Sequence, residues 1–269
     1  MTGTTRDQAG TPREATRVLR PGEPSGVREL VLVRHGESVG NVAAAAAERA
    51  GLEAIDLETR DADTPLSPLG AEQAAALGTW LREQRPGDGS PDVVWCSPYV
   101  RAVQTATIAL REAGSSLALH QDERLRDREL GILDLLTSTG VAARYPDEDA
   151  RRRHLGKFYY RPPGGESWAD LALRVRSLLA DLDRVEAGRR VLVVAHDAVI
   201  ATIRYVCEGL SEREVLDLAR RWPVRNAAVT RLARTGDGWI ATVVNDDAHL
   251  RREDTPVTEH PGDPDVQPQ

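Results

Sequence analysis

Two histidines in this chain each follow a short apolar run and precede a helix-prone segment. Arg34 and His35 come directly after the apolar residues 30–33 in the stretch ELVLVRHGESVGN. His196 follows RVLVVA, which spans residues 190–195. Such runs of apolar, β-branched residues are typical of buried strands. In an open α/β sheet, ligands bind in the crevice beyond the carboxyl ends of the strands, so both histidines are candidates for one site.

A third strand-to-helix junction adds a second cation. DVVWC is predicted to be a strand, and Ser97-Pro98 is predicted to cap a helix that carries Arg101 in its first turn. Arginine forks match phosphate oxygens, and helix N-termini favour anions. Two arginines and two histidines would then converge on one crevice. Taken singly, each has an ordinary alternative: Arg101 as a solvated helix residue and His196 as a satisfied core histidine.

Strands and helices alternate along most of the chain. The helical segments predicted from apolar spacing and caps are 41–50, the one that starts at Pro68, the one that follows Ser97-Pro98, 167–187 and 198–208. A further, charged helix is predicted within residues 144–165. Residues 230–232 and 239–244 flank Gly-Asp-Gly and are predicted to form a hairpin at the sheet edge. The pattern predicts an α/β fold. We expect a three-layer α/β/α sandwich with a mostly parallel central sheet and an antiparallel edge strand.

One domain accounts for most of the 269 residues. Residues 28–245 contain the alternating elements, with no linker and no internal repeat. Residues 1–27 and 246–269 are rich in polar and charged residues and in Pro, without apolar periodicity. Both ends are therefore predicted to be disordered tails.

The charge balance restricts the partners. The chain has 35 basic and 42 acidic residues, a net charge of −7, which argues against nucleic acid or an anionic membrane held by bulk charge. A small phosphorylated substrate stays compatible because arginines can cluster locally. No apolar stretch approaches a membrane span, and Cys96 and Cys207 lack metal or disulfide spacing, so a reducing cytoplasmic location is expected. The oligomeric state is left open, with a homodimer as one option.

Taken together, the motifs resemble one known family. RHGES with Asn41 after it, LSPLG, CSPYVRAVQTA, LRDRELG, PGGES and VVAHD are similar to the motifs of the histidine phosphatase superfamily, the phosphoglycerate mutase-like proteins. The resemblance covers roughly residues 29–244. It implies a phosphoglycerate mutase-like fold and chemistry on a phosphoryl group, with no cofactor and no metal. The sequence itself shows no clustered set of metal ligands.

The resemblance also implies roles for individual residues. His35 would be the nucleophile that takes the phosphoryl group and forms phosphohistidine. Arg34, Arg101 and His196 would hold the phosphate oxygens, and Asn41 would lie near the same pocket. Because a neutral imidazole must attack, the other ring nitrogen of His35 needs an acceptor, for which we expect a nearby backbone carbonyl.

The proton donor to the leaving group has three candidates. The family commonly has Glu where this chain has Asp127 in LRDRELG, and Asp is one methylene shorter. Glu129 lies two residues further on, and Asp197 follows the second histidine, as in the acid-phosphatase branch of the superfamily. Asp127 is favoured, and Asp197 and Glu129 are the alternatives.

Phosphatase activity is favoured over mutase activity. Phosphoglycerate mutases carry a long basic insertion after the acid, and no such segment follows Asp127 here. Without groups that retain a phosphorylated intermediate, water should complete the reaction at His35. The alternatives are a phosphoglycerate mutase-type phosphotransferase and a non-catalytic phospho-ligand binder, which Asp127 in place of Glu keeps open. Residues 155–163, with three aromatic side chains, could either roof the pocket or pack against the core.

Overall fold

The computed structural model describes residues 26–84, 89–236 and 238–260. Its strands are β1 (Glu29–Arg34), β2 (Val93–Cys96), β3 (Leu119–Gln121), β4 (Arg190–Ala195), β5 (Val229–Thr235) and β6 (Gly238–Asp246). They form one sheet in the order β3-β2-β4-β1-β5-β6. The pairs β3-β2, β2-β4 and β4-β1 are parallel, whereas β5 is antiparallel to both β1 and β6. The predicted mostly parallel sheet with an antiparallel strand towards one edge is confirmed.

Helices cover both faces of this sheet. The α-helices in the described ranges are α1 (Val39–Arg49), α2 (Pro68–Glu83), α3 (Val100–Glu112), α4 (Ser138–Arg144), α5 (Pro146–Leu155), α6 (Trp168–Val185), α7 (Asp197–Glu208), α8 (Glu212–Arg221) and α9 (Ala248–Arg252). The sequence analysis missed α4, α8 and α9. None of these described helices is long and apolar enough to span a bilayer.

Alternate residues of the central strands face the two helical layers. One face buries Leu30, Leu32, Val191 and Val193 against α6 and α7. The opposite face buries Val31, Val33, Leu192 and Val194 against α2 and α3. Strands that are buried on both faces need apolar residues at every position, which explains the unbroken runs in β1 and β4. The predicted three-layer α/β/α sandwich is confirmed.

The parallel register brings three strand ends to one edge of the sheet. Arg34 of β1 is level with Ala195 of β4, and Val194 of β4 is level with Cys96 of β2. The chain therefore leaves these neighbouring strands at His35, His196 and Ser97, side by side.

The predicted boundaries of the two tails need correction. Val27, within the predicted N-terminal tail, is buried in the core. At the other end, α9 buries His249 and Leu250, and Gln73 Nε2 donates to Pro256 O at 3.0 Å and to Thr258 Oγ1 at 2.9 Å. Residues 246–260 are thus part of the fold. Leu250 and Val257 are isolated apolar residues that pack on Ala76 and Ala227, and the other contacts are polar, so apolar periodicity does not reveal the segment. Residues 1–25 and 261–269 lie outside the described residues.

Candidate active site

The first histidine is buried and oriented by a backbone carbonyl. His35 is 2% exposed, and its Nδ1 lies 2.7 Å from Gly36 O. Because a carbonyl oxygen can only accept, we assign the proton to Nδ1, which leaves a lone pair on Nε2. Burial, reinforced by the charge of Arg101, holds the pKa of His35 well below its usual range. The ring is therefore neutral near pH 7, with the expected carbonyl acceptor in place.

The turn that carries His35 is pressed against the start of α2. A Cβ on Gly36 would lie 2.4 Å from Gly70 O, and a Cβ on Gly70 would lie 1.9 Å from Glu37 O. Both obstacles are backbone atoms, so only glycine allows this approach. Ser67 Oγ donates to Glu37 Oε1 at 2.7 Å and accepts from Gly70 N at 3.0 Å. The RHGES and LSPLG motifs thus form one closely packed unit.

The second histidine is oriented by a serine. The prediction that Ser97-Pro98 caps α3 is wrong, because the N-cap is Tyr99, and Ser97 Oγ instead accepts from Tyr99 N at 3.2 Å. The Ser97 hydroxyl proton can then go to His196 Nε2, 2.8 Å away. This assignment places the ring proton of neutral His196 on Nδ1. Burial and the charge of Arg101 lower the pKa of His196 well below its usual range.

The two arginines lie beside these rings, which are 5.2 Å apart between centroids. Arg34 is 2% exposed and Arg101 is 4% exposed. Arg34 donates from Nη1 to Val224 O, and burial lowers its pKa against the opposing charge of Asp197. Arg34 Nε and His196 Nδ1 are buried and have no hydrogen-bond partner among the residues that the structure describes. Buried donors of this kind are suited to the oxygens of an anion.

Arg101 is in contact with both His35 and two carboxylates. Its Nε lies 3.3 Å from His35 Nε2, and its Nη2 lies 3.3 Å from Asp127 Oδ2. Asp61 accepts from Nη1 through its backbone oxygen at 2.6 Å and from Nη2 through Oδ2 at 3.0 Å. Burial alone lowers the pKa of Arg101, but the two carboxylates offset this effect and raise it. The sequence analysis missed Asp61, since nothing distinguishes one acid from the others in an irregular connection.

The three candidate proton donors occupy different positions. Asp127 Oδ2 lies 3.3 Å from His196 Nδ1, but the geometry is not that of a hydrogen bond. The same oxygen accepts from Arg101 Nη2, also at 3.3 Å. Glu129 is 48% exposed at its side chain and accepts from Tyr99 Oη at 2.7 Å. Asp197 begins α7, is buried, and accepts from Val224 N at 3.1 Å. Of the three, Asp127 is the one placed against both a histidine and an arginine of the site.

The loop that carries Asp127 is held by an ion pair. Arg174 of α6 donates to the backbone oxygens of Arg124, Arg126 and Asp127 at 2.7, 2.9 and 3.0 Å. Glu166 of the PGGES motif accepts from Arg174 Nε and Nη2, both at 2.9 Å. Glu166 of this motif therefore holds Arg174 in the position in which it binds the loop.

Asn41 reaches the site from the start of α1. It forms a capping box with Ser38, with both hydrogen bonds at 3.1 Å. Asn226, which the sequence analysis missed, donates from Nδ2 to His35 O at 3.0 Å and to Asn41 Oδ1 at 3.4 Å. Thr258 Oγ1 donates to Asn226 Oδ1 at 3.1 Å, so the C-terminal segment supports the turn of His35.

Seven of the eight site residues predicted from the sequence line one cleft of about 370 Å³. The eighth, His196, is fully buried, and its Nδ1 lies 3.3 Å from Oδ2 of Asp127, which lines the cleft. Beyond the two arginines, the cleft wall combines apolar side chains with charged ones. The apolar group is Ile55, Leu57, Leu130, Leu135, Leu136 and Trp168, and the charged group is Asp61, Arg128, Glu129, Asp134, Lys157 and Arg220.

In the 155–163 segment, Phe158 and Tyr160 are buried, whereas Tyr159 is 57% exposed. Phe158 packs with Trp168 in a core cluster.

A covered parallel sheet whose strand ends bring buried histidines and arginines together beside a cleft is an arrangement suited to binding a small anion. Residues 30–247 match the family model of the histidine phosphatase superfamily (branch 1). The chain belongs to this superfamily.

Similar proteins within the superfamily have different activities. The chain is 36% identical over 197 residues to a 2,3-bisphosphoglycerate-dependent phosphoglycerate mutase of Methylobacterium radiotolerans, covering 72% of this chain and 85% of that one. It is 32% identical over 194 residues to a 6-phosphofructo-2-kinase/fructose-2,6-bisphosphatase of Caenorhabditis elegans, covering 71% of this chain and 37% of that one. A mycobacterial glucosyl-3-phosphoglycerate phosphatase solved with VO3 has a TM-score of 0.63 and 29% identity, covering 82% of this chain and all of that one.

Proposed function

We propose that this protein is a metal-independent phosphatase that hydrolyses phosphomonoesters through a phosphohistidine on His35. The observation that carries the proposal is the orientation of His35, whose Nδ1 donates to Gly36 O while the Nε2 lone pair faces Arg101. An imidazole held neutral by burial can attack phosphorus without a metal-bound nucleophile. The expected partner is a small phosphorylated metabolite in the cytoplasm, with no nucleic acid or membrane involved.

The first step transfers the phosphoryl group. Nε2 of His35 attacks phosphorus in line with the leaving oxygen, the P–O bond breaks, and a proton passes to that oxygen. Arg34, Arg101 and the Nδ1–H of His196 donate to the other phosphoryl oxygens, where negative charge must be stabilised. The hydrogen bond from Nδ1 to Gly36 O stabilises the charge that His35 gains. Water then attacks phosphorus, and the P–N bond breaks to regenerate His35.

Asp127 is the proposed proton donor: with the phosphomonoester bound its carboxyl group carries a proton, gives it to the leaving oxygen, and is left as the carboxylate. Its carboxylate lies against Arg101 and His196, and its loop is supported by Arg174. In the second step the same carboxylate takes a proton from the attacking water. Glu129 and Asp197 are the alternative donors, and each already accepts a hydrogen bond, from Tyr99 Oη and Val224 N respectively.

A phosphoglycerate mutase activity is the second candidate, favoured by the names of several relatives at 32–36% identity. Mutases must hold a second anionic group of their substrate. Helix α5, which follows the Asp127 loop, starts with Asp147, Glu148 and Asp149 and ends with basic residues. The charge of the cleft wall is mixed as well, since Arg128, Lys157 and Arg220 stand with Asp61, Glu129 and Asp134. This mixed charge favours release of the phosphoryl group to water over its retention for transfer.

The test uses p-nitrophenyl phosphate turnover in the presence of EDTA, together with trapping of labelled phosphate. Wild type should turn over the ester and yield acid-labile label on histidine, and His35→Ala should do neither. Full activity in His35→Ala would disprove the mechanism. Conversion of 3-phosphoglycerate to 2-phosphoglycerate that depends on 2,3-bisphosphoglycerate would favour the mutase. If wild type binds phosphate but neither hydrolyses esters nor takes up label, the protein is a phospho-ligand binder.

A further inference from the structure

We propose that the Asp61 carboxylate is an internal anion that competes with the phosphoryl group for Arg101 and must move aside for it. This inference rests on the proposed function, since it takes Arg101 as a ligand of the phosphoryl group. It adds a residue that limits phosphate affinity at the site.

The first observation is the geometry of the ion pair between Asp61 and Arg101. Its Oδ1 lies 2.9 Å from Nη1 and its Oδ2 lies 3.0 Å from Nη2, a two-pronged approach to the end of the guanidinium. This is the geometry in which a phosphate binds arginine through two parallel hydrogen bonds. Asp127 also reaches Nη2, at 3.3 Å, and His35 Nε2 faces Nε. A phosphoryl oxygen can accept from Nη2 only if it shares that group with a carboxylate or replaces one.

The second observation is the charge around Arg101. Two carboxylates already lie on one guanidinium, and a phosphomonoester would bring up to two more negative charges. Glu129 and Asp134 line the same cleft. Like charges at such distances repel, so binding of a phosphoryl group favours departure of one carboxylate.

The third observation identifies Asp61 as the carboxylate that departs. The Asp61 side chain is 44% exposed, whereas that of Asp127 is 29% exposed and sits on the loop held by Arg174. Asp61 begins a short 3-10 turn, Asp61–Asp63, and can rotate its side chain into solvent. Its backbone oxygen still accepts from Arg101 Nη1 at 2.6 Å. Arg101 therefore keeps an anchor on this turn when the carboxylate leaves.

The consequence is a site that releases product readily. A carboxylate that competes for Arg101 weakens the binding of inorganic phosphate, which is the second product of hydrolysis. It also disfavours leaving groups that carry a negative charge on the side of Asp61.

The experiment measures the affinity of the full-length protein for inorganic phosphate, by calorimetry at pH 7.5, in wild type and Asp61→Asn. The amide keeps the shape and removes the charge. We expect phosphate to bind about 1.5-fold to fivefold more tightly to Asp61→Asn, the range for a partly exposed charge contact. The matched control is Asp63→Asn, two residues away on the same turn and paired with Arg60 outside the site.

Weaker phosphate binding in Asp61→Asn would overturn the proposal, because it would mean that the carboxylate positions Arg101 for phosphate. The proposal would also be overturned if Asp61→Asn changed the affinity for phosphate no more than the control Asp63→Asn does. Thermal melting of both variants separates these results from misfolding, and Asp61→Ser repeats the test with a smaller side chain. The measurement needs no turnover. If phosphate binds but esters are not hydrolysed, the proposed function fails while this inference is still tested.

Discussion

The inner and outer parts of the cleft are built from different kinds of structure. The inner part, Arg34, His35, Arg101 and His196, comes from residues next to β1, β2 and β4 and is at most 4% exposed. The outer part comes from irregular segments that carry Asp61, Asp127 and Glu129, whose side chains are 29–48% exposed. Strand ends are held by hydrogen bonds and packing on both sides, whereas loop side chains can move.

This difference separates two tasks. The groups that would contact the phosphoryl oxygens are fixed before substrate arrives, which is what electrostatic stabilisation of a transition state requires. The carboxylates that would deal with the leaving group and with competing anions sit where small motions are possible. Substitutions in the inner part should therefore change the rate with every substrate. Substitutions in the outer part should change it by an amount that depends on the leaving group.

The largest effect should come from the inner part. Arg101→Ala removes the cation that faces both His35 Nε2 and the phosphoryl group, so kcat/KM should fall about 10³-fold for aryl and alkyl phosphates alike. Arg111→Ala is the matched control, since Arg111 lies on the same helix and pairs with Glu112 at the surface. A loss confined to one class of substrate would break the distinction between the two parts of the cleft.

A smaller and selective effect should follow from Asp127→Asn. Without a proton donor, hydrolysis of an alkyl phosphate such as glycerol phosphate should slow about 10²-fold. Hydrolysis of p-nitrophenyl phosphate should slow much less, because p-nitrophenolate leaves without protonation. Glu129→Gln, measured with the same two substrates, is the control. If Glu129→Gln shows the selective loss and Asp127→Asn does not, Glu129 is the donor.

The smallest effect concerns the free energy of unfolding, and it tests whether the inner part of the cleft is shielded from water. The pKa values of His35 and His196 are both lowered well below 6.5 in the fold, mainly by burial. Below pH 6.5 the unfolded chain binds protons that the folded chain does not, so the free energy of unfolding falls as the pH falls. Each histidine should contribute about 1.4 kcal/mol per pH unit in this window, and nothing above it.

Urea unfolding between pH 7 and 5.5 measures this slope. His35→Gln should reduce it by the share of one histidine, whereas His154→Gln, on the polar helix α5, should leave it unchanged. An equal slope in wild type and His35→Gln would mean that His35 titrates normally and that the inner part is hydrated.

Much of the inner part could be predicted from local sequence. The runs before Arg34 and His196 are continuous because β1 and β4 are buried on both faces, and the parallel order of strands follows from the alternation with helices. The same reasoning failed for Ser97, which was predicted to cap α3. Its hydroxyl bonds to His196, 99 residues away, and no local pattern distinguishes that partner from a helix cap.

The outer part and the C-terminal segment were harder to predict for a related reason. Asp127 was identified through a family motif, whereas Asp61 carries no motif and meets Arg101 across 40 residues of chain. Residues 246–260 were predicted to be a tail because they have no apolar periodicity: isolated apolar residues such as Leu250 and single polar contacts such as Thr258 to Asn226 hold them to the fold. Apolar periodicity reports which face of an element is buried, and a segment held by isolated contacts leaves no such trace.

The sequence by itself determined the α/β class, the superfamily, and the two strand ends at which His35 and His196 lie. The reason is that the type and spacing of residues determine which segments are buried and in which order strands and helices follow. Only the tertiary structure decided which groups act on those rings. Gly36 O directs the Nδ1 proton of His35, Ser97 Oγ sets the tautomer assigned to His196, and Asp61 grips Arg101. Most of these partners are far apart in the chain, and hydrogen bonds between them depend on strand register and loop packing, which no single segment encodes.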